Sequence, residues 1–66
     1  MKSFVLSARE AEILRLLSRG LSNRELAERL FITEGTVKWH LHRIFLRLGV
    51  RNRVAAVATA RELGLL

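Results

Sequence analysis

The sequence has no cysteine and no proline, and only four of its 66 residues are glycine. The lack of cysteine excludes a disulfide framework and a thiolate metal site. The lack of proline and the scarcity of glycine argue against a loop-rich or collagen-like chain. No apolar run extends beyond a few residues, which excludes a membrane-spanning segment. Because Met1-Lys2-Ser3-Phe4 also lacks the apolar stretch of a signal peptide, the sequence predicts a cytoplasmic protein.

Half of the residues are apolar, which is too many for a disordered segment. The length permits one small domain and leaves no room for a substrate cleft lined on several sides. We therefore expect a single domain over residues 1–66, with residues 1–5 as a flexible N-terminal extension. His40 and His42 are two positions apart on a predicted helix, so they face different ways and cannot hold one metal ion. The sequence predicts a protein that is not an enzyme, with no catalytic residue, metal or cofactor.

The charge is strongly positive and unevenly distributed. The formal net charge is +6, and residues 35–66 account for +5 of it, with six basic side chains and one acidic. Such an imbalance favours an anionic partner. The alternative is a solvated basic surface that serves only solubility.

Start and stop signals divide the chain into four predicted helices, at about residues 8–19, 23–30, 34–48 and 53–62. Two capping boxes, Ser7-Ala8-Arg9-Glu10 and Ser22-Asn23-Arg24-Glu25, open the first two helices. Thr33 and Asn52 are the N-cap candidates of the other two. Gly20, Gly49 and Gly64 follow helices as expected stop signals. The predicted fold class is an all-α four-helix bundle that contains a helix-turn-helix.

The third helix has two chemically different faces. Its helical period predicts one narrow core stripe, formed by Val37, Leu41, Ile44 and Leu48. The opposite face presents Trp39, His42, Arg43 and Leu46, with Lys38 at its edge. His40 borders the core stripe, where a hydrogen-bonded structural role is expected. An exposed tryptophan on a basic helix usually has a partner to contact.

A short helix, a tight turn and a longer basic helix form the helix-turn-helix arrangement, whose second helix enters the major groove of DNA. Lys38, Trp39 and His42 lie in its first turns, where base edges would be met. Gly35 would permit close approach to a phosphate, although a glycine is also simply tolerated there. Two alternatives remain open: a protein-interaction domain anchored by Trp39 and Leu46, and a basic domain that binds RNA or an anionic membrane.

Several motifs closely resemble the LuxR/GerE-type DNA-binding domain. They are Leu6-Ser7-Ala8-Arg9-Glu10, Leu21-Ser22-Asn23-Arg24-Glu25-Leu26-Ala27, Thr36-Val37-Lys38-Trp39-His40-Leu41 and Leu48-Gly49-Val50-Arg51-Asn52-Arg53. The first has serine where that family usually has threonine, and both residues cap helices. The resemblance extends over about residues 6–63 and implies a DNA-binding module of a bacterial transcriptional regulator.

The resemblance also implies roles for individual residues. The expected base contacts are Lys38, Trp39 and His42, on the third helix. The expected contacts to the DNA backbone are Asn23, Arg24, Thr36 and Arg53. Arg43, on the outward basic face, is a fifth expected backbone contact. Since many relatives carry small or polar residues at the positions of Trp39 and His42, these two would set a DNA preference of this protein's own.

The fourth helix resembles the dimerisation helix of the same family. One face, with Ala56, Ala60 and Leu63, is expected to pack on the domain. The other, with Val54, Val57, Ala58 and Arg61, is expected to meet a second copy, at least on DNA, although the helix could serve only to close the core. RNA polymerase is a candidate further partner. The C-terminal residues most resemble those of large ATP-dependent regulators, and any sensing domain is expected to lie outside this chain.

Overall fold

The computed structural model describes residues 6–66, which form four α-helices and no β-strand. The helices are α1 (Ala8–Ser18), α2 (Asn23–Leu30), α3 (Glu34–Leu48) and α4 (Arg53–Glu62). The all-α prediction is confirmed. α1 ends one residue earlier than predicted, because Arg19 has left helical geometry and acts as the C-cap. The expected N-terminal extension lies outside the described residues.

Each helix begins at the polar residue that the sequence predicts. The two capping boxes have nearly the same geometry: the Ser7 and Ser22 hydroxyls each accept from an N–H at 3.1 Å, and the Glu10 and Glu25 carboxylates accept from the serine N–H groups at 2.9 and 2.8 Å. Thr33 and Asn52 cap α3 and α4 in the same way, without a reciprocal glutamate. The caps satisfy N–H groups that a helix leaves without partners and so fix where each helix starts.

The end of α2 differs from the other helix ends. Gly20, Gly49 and Gly64 have positive φ after α1, α3 and α4, as their positions predict. After α2 the left-handed residue is Phe31, with φ 58° and ψ 43°. The sequence predicts only a tight turn there, because no glycine signals this conformation.

The core draws on all four helices. The predicted stripe of α3 is buried throughout and meets apolar side chains of the other helices. The buried apolar residues are Ile13, Leu14, Leu16, Leu17, Leu26, Ala27, Leu30, Val37, Leu41, Ile44, Leu48, Ala56 and Ala60. The expectation that Leu63 packs on the domain was wrong: it follows the last residue of α4 and is 44% exposed, although its N–H still donates to the Thr59 oxygen as in a helix.

An ion pair joins α1 to α3. Arg47 Nη1 donates to Glu10 Oε1 at 2.9 Å, and the Glu10 side chain is buried. Burial by itself raises the pKa of Glu10, but the hydrogen bond from the Ser7 N–H and the charge of Arg47 outweigh this effect and hold the pKa below its usual value. One carboxylate therefore caps α1 and also fastens it to the far end of α3.

Candidate nucleic-acid interface

The face of α3 opposite the core stripe is open to solvent. Lys38, Trp39 and His42 are all exposed on it, and Trp39 is 56% exposed. Leu46 continues the same face towards the C-terminus of the helix and is also exposed. The three predicted base-contacting residues therefore lie together on one accessible surface.

Trp39 is held between two neighbours on its own helix. The guanidinium carbon of Arg43 lies 4.9 Å from the indole centroid, a cation–π distance. The His40 ring meets the indole edge to face, with centroids 5.0 Å apart and ring planes at 72°. Among residues 6–66, the His40 side chain has this ring contact and no hydrogen bond. The indole is thus exposed and yet oriented by its neighbours.

A groove beside the outward face brings together residues from three helices. Lys38 and His42 line one wall, and the N-terminal ends of α2 and α4 form the other with Asn23 and Arg53. The remaining lining residues are Leu41, Phe45 and Asn52. The groove therefore joins two predicted base contacts to two predicted backbone contacts.

Arg53 makes contacts that sequence reasoning missed. Its Nη1 donates to the backbone oxygen of Leu21 at 2.9 Å, and its Nη2 donates to Oδ1 of Asn23. These bonds connect the start of α4 to the start of α2, across 32 and 30 positions of sequence. No local pattern signals such a bond, because it depends on how the helices pack. Arg53 and Asn23 act as a bonded pair rather than as two separate surface groups.

The other predicted backbone contacts lie outside this groove. Arg24 is exposed in the first turn of α2, and Arg43 is exposed beside Trp39. Thr36 is half-buried, and its hydroxyl lies 3.0 Å from that of Thr33, at the N-terminus of α3. These groups flank the outward face on more than one side.

The outer face of α4 forms a shallow depression with the end of α1. All four residues predicted to meet a second copy line it, together with Leu17, Ser18, Gly20 and Arg53. Val54 is 77% exposed, and Ala58 and Arg61 are exposed as well. Val57 differs from them: it is half-buried and packs partly against the core.

Residues 4–60 match the family model described as bacterial regulatory proteins of the LuxR family. The chain belongs to this family. Its helix-turn-helix is the DNA-binding module of a transcriptional regulator, as its motifs predicted.

Named regulators and a solved structure resemble this LuxR-family domain. It is 52% identical over 61 residues to the HTH-type transcriptional regulator AlkS of Alcanivorax borkumensis, a match that covers 92% of this chain and 7% of AlkS. It is 48% identical over 61 residues to the CsgBAC operon transcriptional regulatory protein of Escherichia coli, covering 92% of this chain and 28% of the relative. The crystal structure of the response regulator ChrA of a heme-sensing two-component system superposes with a TM-score of 0.93 at 55% identity, over 100% of this chain and 33% of ChrA.

The LuxR-family domain thus spans a third or less of each of these relatives. The resemblance of its C-terminus to large ATP-dependent regulators stays a prediction, because the relatives that it matches differ widely in length. Within residues 6–66, no helix is long and apolar enough to cross a membrane. The same part of the chain holds no cluster of His, Cys, Asp and Glu suited to a metal ion.

Proposed function

We propose that this LuxR-family domain recognises a specific duplex DNA sequence by inserting α3 into the major groove. The observation that carries the proposal is the exposed face of α3, where Lys38, Trp39 and His42 lie opposite the buried stripe. In a helix-turn-helix the second helix presents such residues to base edges while the first helix crosses the backbone. Lys38 suits the N7 and O6 acceptors of guanine.

The proposed contacts to phosphates surround this reading face. They come from Asn23, Arg24, Thr36, Arg43 and Arg53. We propose that Arg53 acts together with Asn23, because its guanidinium already bonds to the Asn23 side chain and leaves other N–H groups free for a phosphate. Arg43 would approach the backbone while it supports Trp39. Phosphate contacts of this kind set the position of the protein, whereas base contacts set its preference.

Two copies are proposed to bind together through the outer face of α4. Support comes from the exposed valine Val54 and the apolar depression around it. We further propose that the domain only binds, without catalysis or a cofactor, and that RNA polymerase is a further partner. The proposed place of action is the cytoplasm, at the nucleoid when the domain is bound to DNA. In this proposal residues 1–66 act as one domain of the regulator.

The test is a selection from randomised duplexes, followed by binding measurements over a range of salt. We expect one preferred site, with log K falling by about 0.9 for each phosphate neutralised, because bound cations displace counterions. Lys38→Ala should change the preferred bases. Arg24→Ala, at an exposed position, should weaken all sequences alike and reduce the salt slope by about 1.

Binding without a preferred site, or binding that does not respond to salt, would contradict the proposal. The second outcome would favour a protein-interaction domain that uses the exposed apolar groups of Trp39 and Leu46. Arg53→Ala is unsuited as the phosphate-contact variant, because it also removes the bonds to Leu21 and Asn23.

A further inference from the structure

Gly35 is a glycine that the fold does not require. It lies in the first turn of α3, and its φ is not positive. A Cβ atom built on it would meet only Thr33 Oγ1, at the ordinary contact distance of 3.7 Å. Glycine weakens a helix relative to alanine, so its presence here costs stability with no return in packing. The space beside Gly35 is open on the outside of the domain.

Trp39 lies one helical turn after Gly35, on the same side of α3. Side chains on a helix lean towards its N-terminus, as Arg43 does when it reaches back to the Trp39 ring. The residue one turn before Trp39 in that direction is Gly35, which has no side chain. The indole contacts Arg43 and His40, and Trp39 lines a small groove with both of them. Because Gly35 and Trp39 are four positions apart on one exposed face of α3, the open space at Gly35 lies next to Trp39.

The chemistry of Trp39 indicates what it can recognise. An indole has one donor, its Nε1–H, and is otherwise apolar. In the major groove the apolar group that distinguishes base pairs is the C5-methyl of thymine. Neighbours that orient the indole lower the entropy lost when it makes such a contact. Recognition of this kind by Trp39 rests on the proposed insertion of α3 into the major groove.

We infer that Trp39 recognises the methyl group of a thymine that occupies the space left open by Gly35. Trp39 is then a specificity-determining residue that reads a methyl group rather than a hydrogen-bonding edge. Gly35 is a positioning residue, because its missing side chain lets the base approach the indole.

The test replaces each thymine of the selected duplex, one at a time, by deoxyuridine, which removes only the methyl group. We expect one position in each half-site where the replacement weakens binding about fourfold, the effect of burying one methyl-sized group. Trp39→Ala should abolish the difference between thymine and uracil at that position. Trp39→Phe should keep part of it, because phenylalanine is apolar but has no N–H.

Leu46→Ala is the matched control, since it removes another exposed apolar group from the same face. It should leave the thymine–uracil difference intact. Gly35→Ala should fold with equal or higher thermal stability and bind the selected site more weakly, with a reduced thymine–uracil difference. Normal binding by this variant would overturn the role of the open space.

Two failures can be told apart. If the wild-type domain selects no sequence from random duplexes, the proposed function itself is wrong. If it selects a site but binds thymine and uracil equally at every position, only the methyl contact is wrong. If duplexes with thymine and with uracil bind equally well but Trp39→Phe loses binding, the recognition is instead assigned to the indole N–H.

Discussion

Phe31 combines two unfavourable properties at one position. Among residues 6–66 it is the residue other than glycine with positive φ, and it is 95% exposed. For an L-residue the left-handed conformation costs about 1–2 kcal/mol, and the position after a helix is usually taken by glycine or asparagine. The exposed ring recovers little of this cost by burial.

Phe31→Asn is therefore expected to stabilise the domain. Asparagine tolerates the left-handed region, so we expect the free energy of unfolding to rise by about 0.5–1 kcal/mol. Thermal unfolding should report this as a rise in Tm of several degrees, roughly 4–8 °C per kcal/mol for a domain of this size.

The control for this prediction is Leu46→Asn, which replaces an exposed apolar residue within a regular helix. It should lower Tm, because asparagine is a poorer helix former than leucine. If Phe31→Asn lowers Tm by as much as Leu46→Asn does, asparagine does not relieve any backbone strain at position 31.

At the scale of the helices, the two capping boxes offer a natural comparison. They share the same residue pattern and nearly the same hydrogen bonds. Glu10 is only 5% exposed and pairs with Arg47, whereas Glu25 is exposed. At Glu25 the N–H and hydroxyl of Ser22 hold the pKa of the carboxyl below its usual value. Both caps therefore favour the charged form, but only one also fastens two helices together.

We expect Glu10→Gln to weaken the fold at neutral pH and to reduce its sensitivity to acid. The folded-state pKa of Glu10 is below the ordinary value of 4.5, so its stabilising contribution is present above about pH 4.5 and is lost as the pH falls through the folded pKa. Glutamine can still cap α1 but carries no charge for Arg47. The loss at pH 7 should be roughly 1 kcal/mol.

Urea unfolding between pH 2 and 7 measures this difference. Glu25→Gln is the matched control, since it changes the same position of an exposed capping box, and it should have the smaller effect at pH 7. Equal losses in the two variants would show that the bond between Glu10 and Arg47 contributes nothing beyond the cap.

The boundaries of the helices could be predicted because the signals for them are local. Ser7, Ser22, Thr33 and Asn52 each act on an N–H group three residues away, so sequence spacing alone reveals them. The core stripe of α3 was equally predictable, because burial follows the helical period. The exposure of the proposed base readers follows from the same period, on the opposite side.

Contacts between distant segments could not be predicted in the same way. Arg53 reaches Leu21 and Asn23, and Arg47 reaches Glu10, only because α2, α4, α1 and α3 pack as they do. Helical period also misplaced Leu63, because the period gives the direction of a side chain but not whether a neighbouring segment covers it. These features depend on tertiary geometry, which local spacing does not encode.

At the scale of the whole domain, the proposed DNA surface and the proposed pairing surface are adjacent but distinct. Arg53 lines both the groove beside α3 and the depression on α4. Because its guanidinium bonds to the start of α2, the position of α4 is tied to that of the helix-turn-helix. Pairing through α4 would therefore place two copies of α3 at a fixed spacing, about one turn of DNA apart.

Val54→Asp tests the pairing surface. Val54 is 77% exposed, so the substitution should change the free energy of unfolding by no more than about 0.5 kcal/mol. A charge in the pairing surface should nevertheless abolish cooperative binding to a duplex with two half-sites, while binding to one half-site persists. Titrations on one-site and two-site duplexes, together with sedimentation, measure both effects.

Phe31→Asp is the control for this experiment, because it adds the same charge to a surface that α4 does not line. Its cooperativity should equal that of the wild type. Cooperative binding by Val54→Asp at the wild-type level would exclude α4 as the pairing element.

The division of α3 into a buried stripe and an exposed face has an evolutionary consequence. Val37, Leu41 and Ile44 hold the helix in the core, and none of them is among the proposed base readers. Mutations at the exposed positions that keep a good helix former therefore cost little folding free energy. A lineage can acquire a new operator by changing a few exposed residues, and the same exchange should let an experimenter transplant one relative's DNA preference onto another's scaffold.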